Sequence, residues 1–351
     1  MCISEKMSER NEIMKRVTIQ DIAKELEMSR NTVAKAFNNG AILPETKKMV
    51  IKKAWEMGYA KLTEEHLAFI QEKSGVEKSG TILVLIKREQ SDFWSKILEG
   101  IHIAGKEQGL RIQIYIADES DRNGDEVLEQ LAQDVIGIIF LCIFPIEFVK
   151  GIARAGLPMT FFNTPVNAQE YIELGDVYSL ESFYSMNKIT SYCIENRGCK
   201  SFGYIGYAEG SRVVQARYLG FLGVCKQYGI PVSANYMFTR PDRGDRFTYE
   251  LVQEVIHKMD PLPDCIVCES DTVAMYVAMI LMQKDPELAR KTTITGYDDM
   301  IPKDFFKKDI LTVRVNTTEL GKRLVESVIS HAQNPERDIA FVTLATYPIL
   351  R

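Results

Sequence analysis

The chain has 351 residues, 46% of them hydrophobic and 26% charged, which is globular composition with length for about two or three folding units. Its net charge of −5 excludes a protein that coats nucleic acid over its whole surface. The longest apolar run, 135–149, is broken by Pro145 and Glu147 and is too short to span a membrane. Glu5, Lys6, Glu9 and Arg10 make the N-terminus too polar for a signal peptide, so a cytoplasmic protein is expected.

The average charge conceals a split. Between Lys15 and Leu62 stand ten Lys/Arg against five Asp/Glu, while the remainder is net negative. A basic head on an acidic body is the asymmetry of a DNA-anchored sensor. The seven cysteines read as buried or incidental thiols. Cys265 and Cys268 match C-x-x-C, but they lie in a strand-like run, 264–268, where core packing is favoured over metal or redox work.

Taken in order, residues 1–15 lack periodicity and are expected to form a flexible leader. In the next stretch Ile19, Ile22, Ala23 and Leu26 fall at i, i+3, i+4 and i+7, one apolar stripe of a short helix. Thr18 can cap it, with Asp21 as the acidic partner of a capping box. Ser29 caps a second helix in which Val33, Ala36 and Phe37 turn inward and Arg30, Asn31 and Lys35 remain outside. Arg pairs bidentately with guanine, Asn with adenine, and Lys with phosphate or guanine, so these residues suit a recognition helix. An ordinary surface helix pair shows the same local pattern, and this stretch by itself leaves both open. Asn38-Asn39-Gly40 makes a turn; Pro44 and Glu45 then open a third helix with Val50, Ile51, Ala54 and Trp55 on its apolar face and Gly58 at its end.

Several blocks at fixed spacing now coincide: Val17-Thr18-Ile19-x-Asp21-Ile22-Ala23, Ser29-x-x-Thr32-Val33, Asn38, Pro44-Glu45-Thr46 and Gly58-Tyr59. In register they resemble the headpiece of the lactose/galactose-repressor (LacI/GalR-type) family. The resemblance implies a helix-turn-helix DNA-binding domain over 16–60, with Arg30, Asn31 and Lys35 reading bases and Thr18, Ser29, Thr32 and Asn38 touching phosphates. Three positions depart from the family pattern: Glu27 stands where the turn usually has Gly, Ala34 where Ser is frequent, and Leu43 where Ser caps the third helix.

Residues 61–79 are expected to form a hinge or linker. A stripe of Leu62, His66, Phe69 and Ile70 is helix-compatible, but Glu64 and Glu65 would stand near phosphates. Leu67 is the one candidate for a minor-groove wedge, and a linker helix that packs in the dimer is favoured over it.

From Thr81 onward apolar strand-like runs (81–86, 111–116, 136–141, 158–162, 201–205, 264–268 and 292–296) alternate with amphipathic helices. That pattern means two doubly wound parallel sheets facing across a cleft, with ligand beyond the carboxyl ends of the strands. Asp92-Phe93-Trp94, Gly156-Leu157-Pro158, Arg217-x-x-Gly220-Phe221, Ser270-Asp271, Gly296-Tyr297-Asp298-Asp299 and Glu319-Leu320-Gly321 are similar to the same family's effector domain. The resemblance implies a two-lobed, periplasmic-binding-protein-like domain over 80–351, with lobe 1 at about 80–175 and 312–338 and lobe 2 at about 176–311 and 339–351. It places Arg217 and Asp271 first among ligand contacts. Phe93 and Trp94 supply an aromatic surface for a C–H face, though either could simply pack on the sheet. Asn163 and Asp298 follow strand ends, as do the weaker candidates Asp118 and Arg243. Phe162-Asn163-Thr164 replaces the family's frequent Ile-Asp-Arg, and Ser270 replaces a common Asn.

The implied protein is a transcriptional regulator, a repressor by the commoner mode. It would be a homodimer on a near-palindromic duplex operator, controlled by a small polar effector such as a sugar, without cofactor, metal or membrane. An enzyme on the same body would need a phosphate loop, metal cluster or activated nucleophile. The chain has no Walker motif or HExxH, and His66, His102, His257 and His331 stand in no catalytic pattern. A ligand-binding module with degenerate DNA reading remains the other alternative.

Overall fold

In the computed structural model the described residues are 17–38, 42–59, 61–63, 66, 80–88, 91–117, 121–244, 246–302 and 310–350, with the side chains of Pro44 and Glu45 set aside. The expected leader, the turn at Asn39-Gly40, Asp118 and the hinge candidates Glu64, Glu65, Leu67, Phe69 and Ile70 lie outside them. Two compact units divide at Lys78/Ser79.

In the first unit, helices α1 (Ile19–Glu25), α2 (Arg30–Phe37) and α3 (Pro44–Glu56) enclose Ile22, Ala23, Val33, Ala36, Val50 and Ala54. The capping box forms: Thr18 N donates to Asp21 Oδ2 at 2.8 Å and Asp21 N to Thr18 Oγ1 at 3.3 Å. Ser29 Oγ accepts from Thr32 N at 3.1 Å, whereas Leu43 gives α3 no side-chain cap. Glu27 takes φ 52° in the turn between α1 and α2, the conformation for which Gly is the ordinary choice. Beyond α3, His66 returns to the headpiece. Its Nε2 lies 3.2 Å from Phe37 O, and its ring meets Phe37 edge-on at 5.5 Å.

The second unit runs β1 (Thr81–Ile86), α4 (Asp92–Glu107), β2 (Arg111–Ile116), α5 (Asp125–Glu129), β3 (Val135–Phe140), α6 (Ile146–Ala153), β4 (Met159–Phe162), α7 (Gln169–Ile172) and β5 (Asp176–Leu180). It continues with α8 (Phe183–Arg197), β6 (Phe202–Ile205), α9 (Arg212–Gln227), β7 (Met237–Phe238), α10 (Tyr249–Lys258), β8 (Cys265–Cys268), α11 (Asp271–Lys284), α12 (Pro286–Lys291) and β9 (Thr293–Thr295). Last come β10 (Thr312–Arg314), α13 (Thr317–Gln333), β11 (Phe341–Leu344) and β12 (Tyr347–Ile349).

The first sheet is parallel in the order β11-β5-β4-β3-β1-β2, the second parallel in the order β7-β6-β8-β9. Every residue of β1 is buried, as strands covered on both faces require. Cys265 and Cys268 are buried in β8, Cys265 within the larger core and Cys268 in that of the second sheet. β10 and β12 form a separate antiparallel pair.

The lobe boundaries differ from the expected ones. β5 and β11 pair with each other in the first sheet, so 176–180 and 341–344 belong to lobe 1. The chain crosses between sheets at 181–182, 315–316 and 345–346. Local apolarity marks a strand, but its sheet is decided by pairing with residues more than 160 positions away, as in Val177 with Phe341.

Tyr297 fastens two of these crossings. Its hydroxyl lies 2.7 Å from Glu181 O and 3.0 Å from Thr346 Oγ1, and Thr346 Oγ1 itself donates to Glu181 O at 2.7 Å.

Candidate functional site

On the headpiece, the sequence turns Val33 and Ala36 inward, which leaves Arg30, Asn31 and Lys35 exposed together on α2. Thr18, Ser29 and Asn38 are exposed at the helix ends and Thr32 is half-buried, its hydroxyl 2.8 Å from Ser29 Oγ. Six of the seven candidate DNA contacts are thus exposed on the headpiece, Thr32 being the exception. Among them Lys35 and Arg30 supply positive charge, and Asn31 is the amide suited to an adenine edge.

Between the two sheets lies a cavity of about 770 Å³, within the range of small-ligand sites. Lys87 and Arg88 follow β1, Asn163 follows β4, Tyr207 follows β6, Glu269 and Ser270 follow β8, and Asp298 follows β9; all line it. The site therefore sits at the carboxyl ends of both sheets, where doubly wound folds bind ligands. Phe93, Trp94 and Phe162 form its apolar wall, with Trp94 meeting Phe93 at 5.4 Å and Phe162 at 5.8 Å, both edge-on.

Arg217 is the buried cation of this cavity, 5% exposed. α9 delivers it from the second lobe. Nη1 donates to Glu269 O, Nη2 stands 3.5 Å from Asp298 Oδ1, and the guanidinium lies over the Tyr297 ring at 3.6 Å. Its Nε is buried without a partner among the described residues, a donor that an incoming acceptor can satisfy. Burial pushes Asp298 up to about 7, against the opposing attraction of Arg217 and with help from Glu269. Glu269 is likewise pushed to about 7 by burial, although Tyr207 N donates to it at 2.7 Å and Arg217 attracts it. Near neutrality both carboxyls exchange between acceptor and donor forms, which suits hydroxyl groups that do both.

Asn163 at φ 68° and Asp298 at φ 111° are both held in the left-handed region that favours glycine. Two cavity residues on opposite lobes thus share an uncommon backbone.

Asp271 is a correction to the expected placement. It is 1% exposed and does not line the cavity. Its Oδ2 accepts from Met300 N and its Oδ1 from Thr312 Oγ1, each at 2.7 Å. As the first residue of α11 it points behind the 298–300 loop, while its neighbour Ser270, the helix cap, borders the cavity. Arg243 also departs, pairing with Glu254 at 2.6 Å among exposed residues. Lys87, Arg88, Phe162, Tyr207, Arg246 and Glu269 are cavity residues that sequence reasoning missed. The available signal was their position just after strand ends, which holds for all except Phe162, which ends β4, and Arg246.

The comparisons agree with this anatomy. A model of the periplasmic-binding-protein-like domain matches residues 194–351. The chain is similar to the HTH-type transcriptional repressor PurR of Actinobacillus pleuropneumoniae serotype 3 (strain JL03), 20% identical over 339 residues that cover 95% of this chain and 96% of that one. Among solved structures it is similar to the transcriptional regulator CelR in its cellobiose complex, with TM-score 0.66, 18% identity and coverage of 96% and 99%. It is also similar to the Lac repressor dimer bound to operator and the anti-inducer ONPF, with TM-score 0.61, 15% identity and coverage of 96% and 98%.

A helix-turn-helix headpiece followed by a two-lobed periplasmic-binding-protein-like domain, with a cavity of small-ligand size between the lobes, defines the architecture. Within that architecture, residues 194–351 match the periplasmic-binding-protein-like domain, and the chain is similar along nearly its whole length to transcriptional regulators of the lactose-repressor type.

Proposed function

We propose that this protein is a sequence-specific repressor of transcription, working as a cytoplasmic homodimer on a near-palindromic operator and controlled by a sugar in the interlobe cavity. The observation that carries this reading is the joint presence in one chain of the exposed Arg30-Asn31-Lys35 face and the cavity around Arg217. Regulation then needs no catalysis and no resident cofactor. Arg217, Asp298 and Asn163 offer hydroxyls their hydrogen bonds, and Phe93, Trp94 and Phe162 receive the C–H face. Two headpieces in a dimer would meet half-sites about one DNA turn, roughly 34 Å, apart. A ligand changes operator affinity by its preference for one arrangement of the lobes over the other.

The test is selection from a random duplex pool with the purified full chain. A palindrome should be enriched, with affinity that falls steeply with salt. Arg30→Ala should relax the preference at one base position by about 1–3 kcal/mol. Enrichment of no sequence, or an Arg30→Ala protein with unchanged preference, would refute the reading.

A further inference from the structure

Among the described residues the two walls of the cavity are unequally matched in charge. On the second lobe, Glu269 O and Asp298 engage Arg217, and Tyr207 N holds the Glu269 carboxylate. Arg246 is also partnered. On the first lobe, Lys87 and Arg88 follow β1 side by side and both line the cavity. Among the described residues neither has an ion-pair or hydrogen-bond partner; the Lys87 ammonium lies 5.7 Å from the Phe144 ring centroid. The described carboxylates lining the cavity are Glu269 and Asp298, and both are already committed on the opposite wall.

A neutral sugar would satisfy Arg217 and Asp298 but bring no charge to Lys87 and Arg88, which have no carboxylate partner among the described residues. Desolvating unpaired charge is unfavourable, whereas an oxyanion at that position would make charge-assisted bonds. Arg88, with a planar fork of donors, fits carboxylate and phosphate alike, and Lys87 adds a point charge.

We propose that the effector is an anionic sugar, its carboxylate or phosphate group seated against Lys87 and Arg88 and its hydroxylated ring between Arg217, Asp298 and the aromatic wall. This rests on the sugar-controlled reading above and narrows it to a charge class. The sequence shows nothing of it, since a Lys-Arg pair after a strand is the ordinary look of a solvated loop.

Calorimetric titration of the full chain against matched sets separates the possibilities: neutral aldoses, the corresponding uronates, and the corresponding terminal phosphates. At least one charged member should bind tenfold or more tightly than its neutral parent. A uronate or a phosphate as that member identifies which oxyanion is taken. In the double variant Lys87→Gln/Arg88→Gln the charged-to-neutral affinity ratio should fall about tenfold. The inference is overturned if only neutral sugars bind, if nothing in the panel binds, or if the double variant keeps the ratio. A neutral sugar that binds as tightly as its charged counterparts or more so, and whose binding Arg217→Ala abolishes, would sink the anion assignment and leave the regulator reading intact. Failure to select an operator would sink the regulator reading itself.

Discussion

Replacing Asp271 separates a structural carboxylate from a ligand-binding one. In Asp271→Ala, Met300 N and Thr312 Oγ1 lose the oxygens they reach at 2.7 Å, in a site that is 1% exposed. A buried donor left unmade costs about 1–3 kcal/mol, so the pair costs roughly 2–6 kcal/mol. The Thr312 hydroxyl can rotate to another acceptor and the backbone N–H cannot, which places the expectation near about 3 kcal/mol. Asp271→Asn keeps the shape. Its amide oxygen accepts from Met300 N, and its amide nitrogen donates to Thr312 Oγ1, a hydroxyl able to reverse its role. That substitution should cost about 1 kcal/mol or less.

Titration gives a second readout. Burial first, then the charge of Asp298, raises Asp271 from 3.8 to about 7. Over that interval the folded chain holds a proton that the unfolded chain has released. The stabilisation is therefore full below 3.8 and is lost as pH rises through about 7. Its ceiling is about 4 kcal/mol, at about 1.4 kcal/mol for each tenfold change in proton affinity. Urea unfolding followed by Trp94 fluorescence in a Trp55→Phe background, at about pH 5 and about pH 8, measures both effects. The parent should be less stable at the higher pH, and Asp271→Asn should narrow that difference. An Asn variant as unstable as the Ala variant, or a pH difference that does not change, would refute the reasoning.

Two other substitutions probe the scaffold. Glu27→Gly should stabilise the headpiece by about 1 kcal/mol, because Glu27 sits at φ 52° where a side chain is strained; a thermal midpoint of residues 1–78 within the full chain that falls instead would refute it. Gly321→Ala should destabilise the effector domain by about 1–3 kcal/mol, since a Cβ there would stand 2.5 Å from Ile97 O and 2.6 Å from Ile101 N where α13 crosses α4. An unchanged urea midpoint would show that the two helices separate freely.

Much of the fold was legible because it is local. Thr18 with Asp21, Ser29 before an apolar-polar helix, and the unbroken apolar run of β1 each state their structure within a few residues. Sheet membership was not legible: β5 and β11 look like strands of either lobe until their pairing is known. The site divides the same way. Phe93 and Trp94 open a helix, Asn163 and Asp298 follow strands, and Arg217 stands in the second turn of α9; all five line the cavity. Asp271 differs from Ser270 by one position at a helix start, where one step turns a side chain by about 100° from the cavity to the protein interior. Glu269 was hidden for another reason, since a carboxylate beside Ser-Asp reads as a solvated loop until Tyr207 N and Arg217 are known to stand beside it.

What joins the cavity to the rest of the molecule is Tyr297. Its ring lies under the Arg217 guanidinium at 3.6 Å and its hydroxyl reaches Glu181 O and Thr346 Oγ1 at two of the interlobe crossings. A ligand that engages Arg217 therefore acts one contact away from the bonds that set how the lobes meet. The size of that influence is bounded by the ligand's difference in affinity for the two lobe arrangements, and tight binding that is equal in both moves nothing. An effector gripping both walls, with ring on one and oxyanion on the other, has that difference built in. It makes all its contacts in the closed arrangement and loses one wall's worth when the lobes part.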